Sequence, residues 1–181
     1  MKYNNLLKFL GSIIICEFAG SIGAVYTTPS INGWYKSLVK PQFNPPNWIF
    51  GPVWTILFVL MGISLYLVWA KGWKVKNEIS KSGRKPWNKL SQKFYNGPWQ
   101  KANIVLIFVT QLILNILWSV VFFSAHNTGL AFFEVLMLWV AIAFTIVNFY
   151  RVSKVAGVLM IPYILWVSFA GILNLTIFLI N

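Results

Sequence analysis

Long apolar runs separated by short polar joints organise this chain. Between Lys40 and Lys71 no charged side chain occurs, and the same is true between Lys101 and Glu134. A membrane-crossing helix needs about 20 mostly apolar residues. Five segments meet that length, at roughly 6–28, 48–70, 103–125, 129–150 and 155–180. The second, third and fifth contain no Asp, Glu, Lys or Arg, whereas the first holds Glu17 and the fourth Glu134. Lys8, near the start of the first, can extend its stem towards the headgroups. Barrel strands would need only about 10 residues with alternating polarity. Backbone in hydrocarbon must also satisfy its own hydrogen bonds, which favours helices. The pattern predicts an all-α integral membrane bundle of five transmembrane helices, forming one domain over residues 1–181.

Composition agrees with lipid as the main solvent. Hydrophobic residues make up 58% and charged residues 10% of the 181, against about 25% charged in a soluble domain. The first apolar segment is long, interrupted by Glu17 and without a convincing cleavage site, so it reads as a retained helix rather than a signal peptide. Cys16 lies within it; a single cysteine forms no intrachain disulfide, and no metal cluster is suggested by the spacing of ligating residues.

The formal charge of +12 is unevenly placed: Lys36 and Lys40 alone, of fifteen basic residues, fall in the first and third joints. By the positive-inside rule the N-terminus and the basic loop 71–101 are cytoplasmic, and the C-terminus and the Trp34–Trp48 loop lie outside. Anionic membrane lipid accounts for the basic loop more simply than nucleic acid does. Within that loop Pro86 to Asn96 predicts a short interfacial helix with Trp87, Leu90 and Phe94 on one face, the alternative being an unstructured linker.

Helical spacing then groups the side chains that could carry chemistry. Gln111, Asn115, Trp118 and Phe122 form one stripe of the third segment. Amides at that depth should face protein, water or ligand; Asn115 could bind a neighbouring helix or a ligand. In the fifth segment Pro162 should bend the helix, and Trp166 beside Ala170, with Leu173 below, leaves a slot. Phe50, Trp54, Leu57 and Met61 share a side of the second segment. Trp48 and Trp69 suit an aromatic belt, and Trp54, one turn deeper than Trp48, suits it less well. Glu17 shares a face with Gly20 and Ala24, a small pair that permits close helix approach. Glu17 and Glu134 could each be functional or structural carboxyls. His126 reads as a solvated turn residue, with haem ligation as the alternative.

These motifs resemble those of the TspO/MBR family, the tryptophan-rich sensory proteins of bacteria and the mitochondrial translocator protein or peripheral-type benzodiazepine receptor. The resemblance rests on Trp34-Tyr35, Lys40-Pro41, Pro45-Pro46, Trp48 and Phe50 to Thr55. It continues through Gln111, Asn115, Trp118 and Phe122-Phe123 to Pro162-Tyr163, Trp166, Phe169-Ala170 and Leu173-Asn174. It implies a homodimer of five-helix bundles with a pocket beneath the first loop. The implied ligands are porphyrins such as protoporphyrin IX, haem, and sterol-like lipids, with no obligatory cofactor. The implied pocket residues are Tyr35, Phe50, Trp54, Asn115, Trp118, Trp166, Ala170 and Leu173. Trp54 and Trp166 would act in any light-driven porphyrin breakdown. The chain departs from the family at Phe43 and Leu130, where many relatives have Trp, and in its long basic loop. No Tyr, Lys or Arg follows Tyr163, so the C-terminal cholesterol consensus of mammalian members is missing.

Three functions follow as expectations. The first is a binding and sensory protein for tetrapyrroles and other flat apolar ligands, and the second adds porphyrin photodegradation. The alternative is a transporter of tetrapyrroles or sterol-like lipids, disfavoured by the lack of an internal repeat. No conventional nucleophile–base pair is visible. The topology suits a bacterial-type plasma membrane, the mitochondrial outer membrane being the alternative.

Overall fold

The structure, a computed structural model, describes residues 3–71 and 98–181. The helix predicted at Pro86–Asn96 lies outside the described residues. The elements are α1 (Tyr3–Ile31), a short α2 (Trp34–Ser37), α3 (Asn47–Ala70), α4 (Pro98–Ser119), α5 (Thr128–Val152), α6 (Lys154–Leu159) and α7 (Ile161–Ile180). Among the described residues, five spans are long and apolar enough to cross a membrane: α1, α3, α4 with its extension, α5, and α6 together with α7. The chain is therefore an all-α, multi-pass integral membrane bundle. Between 22% and 39% of the most apolar window in each span is buried within the chain. The remaining apolar surface, including Ile14, Phe18, Phe133 and Phe144, is left for lipid.

Local chemistry explains where the helices stop and bend. Pro52 is the sixth residue of α3, past the four free N–H groups of the first turn, so it removes the helix bond to Trp48 O. Asn127 caps α5 by accepting from the Leu130 N–H at 2.9 Å, satisfying one of the free donors of the first turn. The bend expected at Pro162 is a one-residue interruption at Met160, between α6 and α7. Hydroxyls on the spans return to their own helix, as in Thr27 Oγ1 to Gly23 O at 3.0 Å and Thr145 Oγ1 to Ala141 O at 2.9 Å, which hides a polar group where water is absent.

The spans form a ring in which α1 packs on α3 and α4, α4 on α5, and α5 on α6 and α7, while α6 closes back on α3. At the end distant from the α1–α3 loop the ring is filled. A Cβ on Gly62 of α3 would lie 2.6 Å from the Ile13 Cα of α1, so the two backbones touch there. Ser64 Oγ donates to Ala156 O at 2.7 Å, tying α3 to α6. Phe108 and Phe149 stack at 5.4 Å between α4 and α5. The expected small pair on α1 acts differently from the prediction: at Gly20 the space of a Cβ is taken by the Phe58 ring, 2.5 Å away, and Ala24 is exposed. The helix-to-helix approach comes from Gly62 instead, which the pair pattern did not single out.

Candidate functional site: an aromatic cavity at the loop end

Towards the α1–α3 loop the ring opens into a cavity of about 300 Å³, at the lower bound of the roughly 300–1,000 Å³ usual for small-molecule sites. Along α3 it extends from Asn47 to Phe58, about 16 Å at a rise of about 1.5 Å per residue. It forms because α3 and α7, held apart by rings, meet over few positions. Phe50 lies edge-on to Trp166 at 6.0 Å and Trp54 edge-on to Tyr163 at 6.2 Å.

All eight residues predicted for the pocket line this cavity: Tyr35 from α2, Phe50 and Trp54 from α3, Asn115 and Trp118 from α4, and Trp166, Ala170 and Leu173 from α7. Gln111, the other member of the α4 stripe, does not. It is fully buried one turn further on, with Nε2 3.9 Å from Met61 Sδ. Leu57 and Met61, on the α3 side with Trp54, belong to the packed core.

Two of the polar groups are committed to neighbouring helices. Asn115 Nδ2 donates to the Tyr163 hydroxyl at 2.9 Å. Trp118 Nε1 donates to Asn174 Oδ1 at 3.1 Å, while Asn174 Nδ2 donates to Thr128 O at 2.7 Å. Asn174 thus fixes the Trp118 ring, and Tyr163 fixes the Asn115 amide. Trp166 Nε1 is different: it is buried without a partner. Glu17 also lines the cavity, and its Oε1 is buried and unpartnered. Glu134 is buried with neither oxygen partnered and is not among the lining residues.

A local irregularity adds two rings. α4 continues into a π-helical turn at Val120–Ser124, which widens the winding by one residue. Phe122 and Phe123, adjacent in sequence, are both buried and both line the cavity. Phe122 stacks on Trp118 at 5.1 Å, and Phe123 meets Tyr35 at 5.6 Å. Ser30 Oγ donates to Phe123 O at 2.6 Å and ties α1 to the turn.

The loop covers this end. Tyr35 donates to Asn44 Oδ1 at 2.8 Å, and the Lys40 ammonium sits 4.7 Å above the Tyr35 ring, a cation–π distance. Burial pushes the Tyr35 phenol above its ordinary range, so it remains a donor at neutral pH. Val39 exchanges two backbone bonds with the Asn181 amide, at 2.9 and 3.0 Å. Phe43 meets Phe169 edge-on at 6.3 Å. Trp48 is 73% exposed at the start of α3, as an interfacial ring would be. His126 is exposed but not simply solvated: it adopts φ 53° and stacks on Trp34 at 4.3 Å, outside the cavity lining. Histidine tolerates that left-handed conformation better than most residues.

Among the lining residues absent from the predicted pocket are Glu17, Phe122, Phe123 and Asn174. For Glu17 a signal existed: Ser21, Ala24, Thr28 and Ile31 continue its face and also line the cavity, and small or hydroxylated residues in such a row are unusual on a lipid-facing helix. No sequence signal marks the π turn.

A five-span membrane bundle with a tryptophan-rich cavity under its first loop is the class that fold and site define together. Residues 12–180 match the model of the TspO/MBR family, and the chain belongs to that family. It is similar to the tryptophan-rich protein TspO of Archaeoglobus fulgidus, 37% identical over 98% of this chain and 99% of that protein. The tryptophan-rich protein TspO of Chlorobaculum tepidum is 38% identical over 92% and 91% of the two chains. The translocator protein of Homo sapiens is 34% identical over 86% of this chain and 82% of its own length.

Proposed function

We propose that the chain is a membrane binding and sensory protein whose cavity takes porphyrins, including protoporphyrin IX and haem, and other flat apolar ligands. The observation that carries this reading is the grouping of Phe50, Trp54, Trp118 and Trp166 around one space, with Asn115 and Tyr35 held as polar points on its wall. A porphyrin is broad, flat and mostly apolar; aromatic faces match its faces and a few fixed dipoles orient its edge. The names of the relatives, tryptophan-rich and sensory or translocator proteins, support a sensory or translocator role in a membrane.

Porphyrin photodegradation is a secondary activity of the same site. Trp54 and Trp166 supply oxidisable rings beside a light-absorbing ligand, and dioxygen is the terminal oxidant. Transport is the second reading. It is favoured by the exposure of Ser21, Ala24 and Thr28 of α1 and Gly51 and Thr55 of α3, all cavity-lining, which leaves a side opening between those helices. The basic end faces the cytoplasm in this reading, bound to anionic lipid, and the bundle works as a homodimer.

Titration of purified protein with protoporphyrin IX in the dark, followed by tryptophan quenching, tests the binding. Saturable quenching is expected, and its loss in Ala170→Phe, which fills the slot beside Trp166. Absence of saturable quenching in the parent chain sinks the tetrapyrrole reading. Illumination should then give a product that free porphyrin does not, abolished in Trp54→Phe and Trp166→Phe; no such product removes the photochemistry alone. Counterflow of labelled porphyrin in vesicles separates transport from binding.

A further inference from the structure

The cavity of a chain with a formal charge of +12 contains one charged side-chain type, and it is acidic. Its lining includes Glu17 and no Lys, Arg or His among the described residues. Glu17 Oε1 is shut off from solvent and has no hydrogen-bond partner. An ionised carboxylate at that depth is costly unless a cation or donor meets it. Across the cavity, Trp166 Nε1 is a buried donor without an acceptor. Buried polar atoms are paired in nearly all folded proteins, so unmet groups on two residues that line one cavity bear on what enters it. Glu17, Ser21 and Ala24 share one face of α1 and line the cavity together; Oε1 itself is covered by protein, so the rest of the carboxyl borders the space.

We infer that Glu17 is a specificity-determining residue: it makes the cavity prefer flat apolar ligands carrying a cationic or N–H-donating nitrogen at the end that meets α1. The inference rests on the reading of this cavity as a ligand pocket. It also orients a porphyrin. Its carboxylate-bearing edge turns away from Glu17 and towards the loop, where Lys40 sits over the Tyr35 ring.

The test uses three probes of one shape in neutral detergent: protonated 9-aminoacridine, anthracene and anthracene-9-carboxylate. Tryptophan quenching gives each affinity. The parent chain should bind the cation about tenfold or more tighter than anthracene, the scale of one hydrogen bond to a charged group, and the carboxylate most weakly. Glu17→Gln should bind all three alike, with anthracene unchanged, while Glu134→Gln, altered outside the cavity, keeps the parent order. Equal affinities in the parent chain overturn the inference, even where Glu17→Gln does not fold, and so does an unchanged order in Glu17→Gln. If protoporphyrin and anthracene bind without any ranking, the Glu17 role fails and the tetrapyrrole reading stands. If the ranking appears without protoporphyrin binding, the reverse holds. If nothing binds, both fall.

Discussion

The two halves of this bundle use the same residue types for opposite ends. Away from the loop, Gly62 lets the α1 and α3 backbones touch at Ile13, and Ser64 is satisfied by Ala156 O. Near the loop, Trp54, Trp166, Phe50 and the paired Phe122 and Phe123 hold the helices apart around a cavity. Hydrophobic burial into lipid cannot drive one helix against another, because lipid tails are as apolar as leucine. Close packing therefore decides where helices meet, and small residues achieve it. Large rings prevent close approach, and where they line a ring of helices a space remains. The polar groups divide too. In the cavity half, Trp118 and Asn115 are locked by Asn174 and Tyr163, while Glu17 Oε1 and Trp166 Nε1 stay unmet.

The contrast can be broken most strongly at Gly62. Gly62→Ala places a Cβ against backbone that cannot rotate away, and should cost about 3 kcal/mol, the upper part of the range for overpacking. Thermal unfolding in neutral detergent checks it against Gly11→Ala, where a Cβ meets open space. Equal midpoints would refute backbone contact as the basis of the packed half.

Asn115→Ala comes next. It leaves the fully buried Tyr163 hydroxyl without its partner, at about 1–3 kcal/mol. Stability should fall by that amount in denaturant, and Tyr163→Phe in the same background should restore part of it. No recovery in the double variant would show that the amide acts in some other way. Trp118→Phe keeps the stack on Phe122 but loses the bond to Asn174. A loss of about 1 kcal/mol is expected, together with freer ring motion visible as broadened aromatic NMR signals.

The smallest stability effect belongs to Trp166→Phe, since its indole N–H satisfies nothing in the fold. The unfolding free energy should fall by no more than about 1 kcal/mol, from the smaller ring's contact with Phe50 and Phe169, while protoporphyrin quenching weakens severalfold. A large loss of stability with unchanged affinity would place Trp166 with the packed half.

The helices were legible because lipid imposes length and apolarity on each span, and both are local properties of the chain. The predicted 48–70 and 155–180 differ from α3 and from α6 with α7 by one residue at one end. α1 runs three residues further at each end than the predicted 6–28, since Tyr3 and Ile31 extend past the hydrocarbon-length run that marked the segment. Helical spacing placed Phe50 with Trp54, Asn115 with Trp118, and Trp166 with Ala170 and Leu173 on common faces, but those faces also held Gln111, Leu57 and Met61, which do not line the cavity; which members enter it came only with the resemblance to the family. Glu17 was visible as a buried carboxyl without a destination, because which helix opposes a face is not a property of that helix.

What the chain by itself determined is therefore the number of spans, the bias of basic residues to one end and the faces that carry rings. Each follows from one-dimensional periodicity and from the cost of polar groups in hydrocarbon. Tertiary structure alone decided three things. It made Gly62, rather than Gly20 and Ala24, the point of backbone contact. The π turn brought Phe122 and Phe123 to the same space. Glu17 came to face a cavity across from Trp166. All three depend on how helices close into a ring, where a few ångströms between non-adjacent spans separate a filled core from a pocket.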